Sequence, residues 1–192
     1  MNSTSSPALK SALKMPPFRE ALKRSVAGPH THLEKLPLMQ RYASGDASLK
    51  EYIHVTRVMQ LFWSSYKPAI HNLSIDYTQF LNNYLQALRD DVEPVSLNIQ
   101  KKSVHEIAFY YVLLGSGLGA KVILKNNLGN DYPKKNLSYL AGNSAFFWKD
   151  FTQAHIASVP ATDELLVLEE SRMLFDDLLN HMLPKTKVSS WN

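Results

Sequence analysis

The chain has 192 residues, of which 45% are hydrophobic, and this length and composition suit one globular domain with a substantial core. It contains no cysteine, which excludes disulfides, iron–sulfur clusters, thiolate metal sites and cysteine nucleophiles, and is typical of a reducing, cytoplasmic location. The formal net charge of +4 is spread among acidic residues, so it suits an acidic protein partner and forms no basic stripe for a nucleic acid.

The two ends of the chain differ from its middle. Residues 1–16 are polar and rich in serine, and we interpret them as a flexible leader with neither an export signal nor a membrane anchor. No apolar run approaches the ~20 residues of a membrane span. We predict a single domain over residues 17–184 and a short tail over residues 185–192.

Apolar residues recur at helical spacing through most of the domain, which predicts an all-α, single-domain helical bundle. A first helix is predicted to begin at Phe18, to be interrupted at Gly28-Pro29, and to restart at His30 toward Tyr42. The later helices are predicted over residues 49–71, 77–88, 104–125, 137–157 and 162–182.

Capping signals precede two of these helices. Ser48 stands where it can cap the helix that follows it, and Ser103 with Glu106 three residues later predicts a capping box for the longest helix. Strand patterns are scarce, although residues 92–99 are predicted to be extended because Pro94 disfavours helix.

The longest apolar helix contains an unusual run of small residues, Gly115 to Ala120, with three glycines in five positions. Glycine costs a helix interior about 1 kcal/mol relative to alanine, so the run predicts that something flat or bulky lies against that backbone. Close packing between helices is the alternative. The run has neither the frame of a serine nucleophile nor that of a phosphate-binding loop.

The seven histidines are the candidate metal ligands, and His30 differs from the others. Glu34 lies one turn further along the same helix face, and apolar residues follow that can form a pocket. His32 lies roughly on the opposite side of the helix, so the two histidines do not chelate one metal, which argues against zinc. One accessible histidine facing a glycine-containing helix favours a haem site, in which imidazole is the fifth iron ligand. The histidines are His30, His32, His54, His71, His105, His155 and His181.

Several segments resemble the haem oxygenase family, especially its bacterial, biliverdin-producing branch associated with phytochromes. The similarity covers roughly residues 18–182 and lies in the order and spacing of the segments. The segments are His30 to Met39 with Gly45 and Lys50-Glu51-Tyr52, then Tyr66-Lys67-Pro68, Gly115 to Ala120, Ser144 to Phe151, and Leu174 to Leu178.

The resemblance implies a bundle of the haem oxygenase type, with haem between a proximal and a distal helix. It implies a reaction in which haem is both cofactor and substrate and is oxidised by O2 to biliverdin, carbon monoxide and ferrous iron. Electrons would come from a reductase, a ferredoxin or a flavodoxin. A phytochrome or another biliverdin acceptor is the implied recipient of the product.

The resemblance also assigns roles to individual residues. By register, His30 matches the proximal iron ligand. The catalytic positions of the distal helix fall on Gly115, Ser116 and Gly119, where Ser116 replaces an aspartate of the animal enzymes. The implied haem-binding residues are Lys23, Tyr110, Gly115, Gly119, Ala120 and Lys149.

Two other functions remain open at this point. The missing distal acid at Ser116 fits a non-catalytic haem-binding carrier or sensor on the same fold. A helical interaction protein, in which His30 is structural and no haem binds, is the third hypothesis. In any of the haem-binding cases, a kink at Gly28-Pro29 would move Lys23 away from the haem propionates.

Overall fold

The computed structural model describes residues 18–69, 73–93 and 100–183. Seven α-helices make up most of these residues, which confirms the predicted all-α fold for this part of the chain. The predicted leader, residues 1–16, and the predicted tail, residues 185–192, lie outside the described residues.

The helices follow one another along the chain, and two short strands pair in parallel beside them. The α-helices are α1 (Phe18–Glu34), α2 (Pro37–Ser44), α3 (Leu49–Ser65), α4 (Ile75–Asp91), α5 (Glu106–Asn126), α6 (Lys135–Asp150) and α7 (Glu164–Met182). The strands are β1 (Tyr66–Pro68) and β2 (Lys102–Val104), and a π-helical turn (Phe151–His155) and a 3-10 turn (Ile156–Ser158) follow α6.

Helix α5 lies at the centre of the bundle. It packs most extensively against α6 and also against α7, while α1 lies along α7 and α4 packs against α3 and α6. The core is rich in aromatic side chains, because α3 buries Tyr52, Phe62 and Trp63 and α5 buries Phe109 and Tyr110. Met59, on the same face of α3, is only partly buried.

Helix α1 is continuous, so the predicted interruption at Gly28-Pro29 is wrong. The helix runs from Phe18 to Glu34 with Pro29 inside it. Proline removes one backbone hydrogen bond, but Leu22 and Val26 before it and Leu33 after it are all buried. Their packing against the core outweighs the local preference, as tertiary contacts often do.

The helix break lies seven residues later than predicted, at Pro37. Leu36 is in an extended conformation and Pro37 begins α2, where a proline is well tolerated because the first amide has no partner in the helix. Helix α2 ends at Gly45, whose φ of 91° lies in the left-handed region that favours glycine.

The predicted cap at Ser48 is confirmed, and it forms a capping box with Glu51. The Glu51 amide donates to the Ser48 side chain at 3.3 Å, and the Ser48 amide donates to the Glu51 carboxylate at 2.9 Å. The capping box predicted for Ser103 and Glu106 is wrong, because Ser103 lies in β2 and α5 begins after His105, whose Nδ1 accepts the Ile107 amide at 3.2 Å.

Other predicted helix boundaries also differ from the structure. The helix predicted over residues 49–71 ends at Ser65, where the chain turns into β1, and the helix predicted over residues 137–157 ends at Asp150, where a π-helical turn follows. Of the predicted extended segment, Val92 has an extended backbone, and residues 94–99 lie outside the described residues.

Among the described helices, α5 alone is long and apolar enough to cross a membrane. Its most apolar 18-residue window has a mean hydropathy of 1.7, and 56% of that window is buried inside the fold. A core helix that is mostly buried meets the same criteria, so the finding is weak evidence for a span. Lys121 interrupts the apolar residues of α5, which is why no run of ~20 residues stands out in the sequence.

Candidate functional site

A cleft of about 490 Å³ lies between α1 and α5, with α6 and α7 at its sides. Its volume falls within the range of small-molecule binding sites, and its exposed lining is mostly apolar. The lining includes Arg19, Glu20, Lys23 and His30 from α1, Tyr111, Gly115 and Leu118 from α5, Trp148 from α6, and Phe175 from α7. The cleft therefore contains His30, Lys23 and Gly115, three of the predicted site residues.

His30 enters this cleft from the C-terminal half of α1, with 48% of its side chain exposed. Its Nδ1 atom lies 3.4 Å from a carboxylate oxygen of Glu34, and its ring packs edge-on against Phe175 with 5.4 Å between centroids. A carboxylate beside Nδ1 orients an imidazole and favours metal binding through the other nitrogen, Nε2.

The surroundings of His30 bear on the kind of metal it could hold. Residues 18–69, 73–93 and 100–183 contain no group of three or more histidine, aspartate or glutamate side chains that could hold a metal ion. A metal at His30 would therefore need most of its ligands from a prosthetic group. The four ring nitrogens of a porphyrin meet this requirement, because haem iron takes a single axial histidine from the protein in many haem proteins.

Lys23 lies in the same cleft as His30, so the predicted displacement by Gly28-Pro29 is not seen. Because α1 is continuous, the spacing of seven positions from Lys23 to His30 corresponds to about 10 Å along the helix axis. Arg19, one turn before Lys23, adds a second cation to this wall, and Glu20 adds one carboxylate. The i, i+4 spacing of Arg19 and Lys23 places both on one face of α1, whereas the family resemblance assigns a role only to the lysine.

Tyr110 does not reach the cleft. It is 2% exposed, its ring packs edge-on against Tyr77 and Phe109, and burial raises its pKa to about 12. The next residue, Tyr111, lines the cleft instead. Burial raises the pKa of Tyr111, and the nearby Arg19 charge opposes that rise. One residue turns a helix by about 100°, so the phenol beside the cations is Tyr111.

The three glycines of the α5 run have different surroundings. Gly115 faces the cleft, and a Cβ atom placed on it would meet the Trp148 ring at 3.7 Å, an ordinary contact. Gly117 lies against α6, where a Cβ would overlap the side chain of Ser144. Gly119 has no atom within 4 Å of its Cβ position and does not line the cleft. Helix packing therefore accounts for Gly117, whereas Gly115 opens toward the cleft.

The other predicted site residues lie away from the cleft lining. The Ser116 hydroxyl donates to the Leu113 carbonyl at 2.7 Å, so its proton is engaged within α5. Ala120 is 2% exposed and belongs to the core. Lys149 is exposed on α6, next to Trp148, and it is the tryptophan that lines the cleft.

A second, more open groove of about 330 Å³ lies between α4 and α6 and contains Asp76, Phe80 and Phe146. None of the predicted site residues lines it. We therefore take the cleft between α1 and α5 as the candidate functional site.

No family model matches the chain, and no curated protein matches it. Its function is therefore inferred from the cleft and from the pattern of its residues.

Proposed function

We propose that the chain is a haem oxygenase, which oxidises haem to biliverdin, carbon monoxide and ferrous iron with O2 and external electrons. The observation that carries the proposal is that His30 on α1 and Gly115 on α5 line one cleft. These are the residues that the family resemblance assigns to the proximal and distal helices. They are far apart in the sequence and meet only through the fold.

The chemistry of the cleft supports a flat, mostly apolar ligand with carboxylates on one edge. Leu118 and Phe175 give the cleft apolar walls, and Arg19 and Lys23 place two cations along α1. Haem has this combination of an apolar ring and two propionates. An arginine donates to a carboxylate through a planar fork and a lysine as a point charge, so the pair suits two carboxylates.

Individual residues have distinct roles in this proposal. His30 holds the iron through Nε2, and Glu34 keeps the imidazole ring oriented through Nδ1. Gly115 has no side chain, so the α5 backbone can approach the other face of the ring. When bound, haem supplies the redox-active iron and also the ring that is oxidised.

Tyr111, rather than Tyr110, is the phenol that this proposal places beside the propionates, because Tyr111 lines the cleft close to the Arg19 charge. A tyrosine phenol carries its proton at neutral pH, so Tyr111 can donate a hydrogen bond to a carboxylate. The electron donor is a reductase, a ferredoxin or a flavodoxin, and the net charge of +4 suits an acidic one.

A haem-binding carrier or sensor is the second candidate function, and Ser116 favours it. Its hydroxyl proton is engaged by the Leu113 carbonyl, and no acidic side chain from α5 lines the cleft. If the site has no route for protons, haem binds and is not oxidised. Bilin formation separates this candidate from the oxygenase.

The first experiment on this site is a hemin titration of the wild type, His30→Ala and His32→Ala. His32 lies on the same helix, is exposed, and does not line the cleft, so it is a matched control. We expect His30→Ala to lose the Soret spectrum of histidine-ligated haem and His32→Ala to keep it. Equal spectra for the two variants would contradict the assignment of His30.

A further inference from the structure

Trp148 borders Gly115, the residue at which the proposed haem would approach α5. The ring of Trp148 extends from the last turn of α6 to the cleft. Its Cζ3 and Cη2 atoms lie 3.7 and 3.9 Å from the position of a Cβ on Gly115. The edge of the indole therefore borders the space into which the glycine opens.

Neighbouring contacts hold this indole in place. The ring packs against Tyr111 with 5.5 Å between centroids and against Phe151 at 6.4 Å. Phe151 is 0% exposed, and the Tyr77 hydroxyl donates to Asp150 at 2.8 Å, so the backbone that follows Trp148 is anchored in the core. Trp148 is thus a rigid wall, because close-packed aromatic contacts restrict its rotamers.

A rigid wall can fix the rotation of the macrocycle, which the two cations of α1 cannot fix alone. Arg19 and Lys23 are long, exposed side chains, and two flexible cations can pair with two propionates in more than one rotation of the macrocycle about the iron–histidine bond. A bulky ring beside Gly115 admits only rotations whose substituents leave room for it. The wall and the cations together define one orientation.

We propose that Trp148 selects which edge of the haem lies over Gly115, and thereby which meso carbon of the ring is oxidised. This inference rests on the proposed haem site. Trp148 acts as a specificity-determining residue through contact with the edge of the macrocycle. The segment Ser144 to Phe151 contains Trp148, but the family resemblance assigns a role there only to Lys149.

The test compares the wild type with Trp148→Ala and Trp148→Phe, and uses Trp63→Phe as the matched control. Trp63 is a 1% exposed core residue packed against Phe62 and Phe109, so its replacement perturbs folding without touching the cleft. Proton NMR of the ferric haem complex counts the orientations directly, because haem methyl resonances shifted by the iron differ between rotations. Chromatography of the bilin isomers after one turnover gives a second measurement.

We expect one dominant set of haem methyl resonances in the wild type and in Trp63→Phe. Loss of one aromatic contact in Trp148→Ala should change the ratio of two orientations about fivefold and weaken hemin binding about three- to tenfold. Trp148→Phe keeps a smaller ring at the wall and should give intermediate values. The bilin isomers should follow the ratio of orientations.

Three results would contradict the proposals, and each one contradicts a different part of them. If Trp148→Ala shows the wild-type orientations and hemin affinity, the inference about Trp148 is wrong and the haem site stands. If the wild type binds hemin in one orientation and forms no bilin, the oxygenase proposal is wrong, while the NMR comparison still decides the role of Trp148. If the wild type binds no hemin, both are wrong.

Discussion

Gly117 on α5 lies so close to Ser144 on α6 that a Cβ atom on the glycine would overlap the serine side chain. Ser144 is itself 0% exposed, so it has no room to move aside. The separation of the two most extensively packed helices therefore depends on a missing side chain. Because α5 also carries Gly115 and α6 carries Trp148, this contact fixes two walls of the cleft.

Replacing Gly117 by alanine should destabilise the fold by about 1–3 kcal/mol, the usual cost of an extra methyl group in a well-packed contact. For a chain of this length each kcal/mol lowers the melting temperature by about 2–4 °C. Gly119→Ala is the control, because its Cβ meets no atom within 4 Å. The control should gain up to about 1 kcal/mol from helix propensity. Equal melting temperatures for the two variants would show that Gly117 is not a packing residue.

Gly115→Ala should separate folding from binding. The added methyl group would make an ordinary contact with Trp148, so the free energy of unfolding should stay the same or rise slightly. It would also occupy the surface that the proposed haem approaches, so hemin affinity should fall by about tenfold or more. Chemical denaturation and a hemin titration measure the two effects. An unchanged hemin affinity would mean that Gly115 does not contact the ligand.

The buried carboxylate of Asp91 should matter far more for stability than that of its neighbour Asp90. Asp91 accepts hydrogen bonds from the Lys135 and Asn136 amides at the start of α6, at 2.9 and 2.8 Å, and from the Tyr52 hydroxyl at 3.0 Å. Removing it in Asp91→Ala leaves buried donors unpaired and should cost about 2–4 kcal/mol. Asp90→Ala loses a surface ion pair with Lys135 and an exposed hydrogen bond from Gln86, and should cost about 1 kcal/mol or less. Urea denaturation of both variants is the measurement, and similar midpoints would refute this account of Asp91.

The hydrogen-bonded carboxylate of Glu51 should make the free energy of unfolding fall at acid pH. Its hydrogen bonds with the Arg41 side chain, and then with Ser48, lower the pKa of the carboxyl from 4.5 to about 2. A lowered pKa means that the stabilisation is fully present above pH 4.5 and is lost as the pH falls toward 2. Wild-type stability should therefore fall more steeply than that of Glu51→Gln over this interval. Parallel curves from urea denaturation at several pH values would contradict the assignment.

The sequence predicts the helices well because their apolar residues recur with helical spacing, and these residues form the core. The prediction from sequence fails at Pro29, because the packing of buried residues before and after this proline outweighs its preference against a helix interior. It also fails at Ser103, where pairing of β2 with β1 takes the residue away from the start of α5. Both errors come from contacts between residues distant in the sequence.

Of the predicted site residues, His30, Lys23 and Gly115 line one cleft, and their role there stays a prediction. The choice between Tyr110 and Tyr111 depends on the rotation of α5, which is set by packing against the neighbouring helices and which the sequence pattern does not define. Trp148 lies in an aromatic segment, and the sequence does not show which of the aromatic side chains in that segment reaches the cleft.

We propose that this chain converts haem to biliverdin in the cleft between α1 and α5. The most direct test is to load the purified protein with hemin, supply a reductase system in air with catalase present, and follow the Soret band together with the red absorbance of bilin. The account predicts decay of the Soret band, formation of biliverdin and release of carbon monoxide in the wild type, and no enzymatic conversion in His30→Ala. A stable haem spectrum in the reduced, aerated wild type would contradict the oxygenase and favour the haem carrier or sensor.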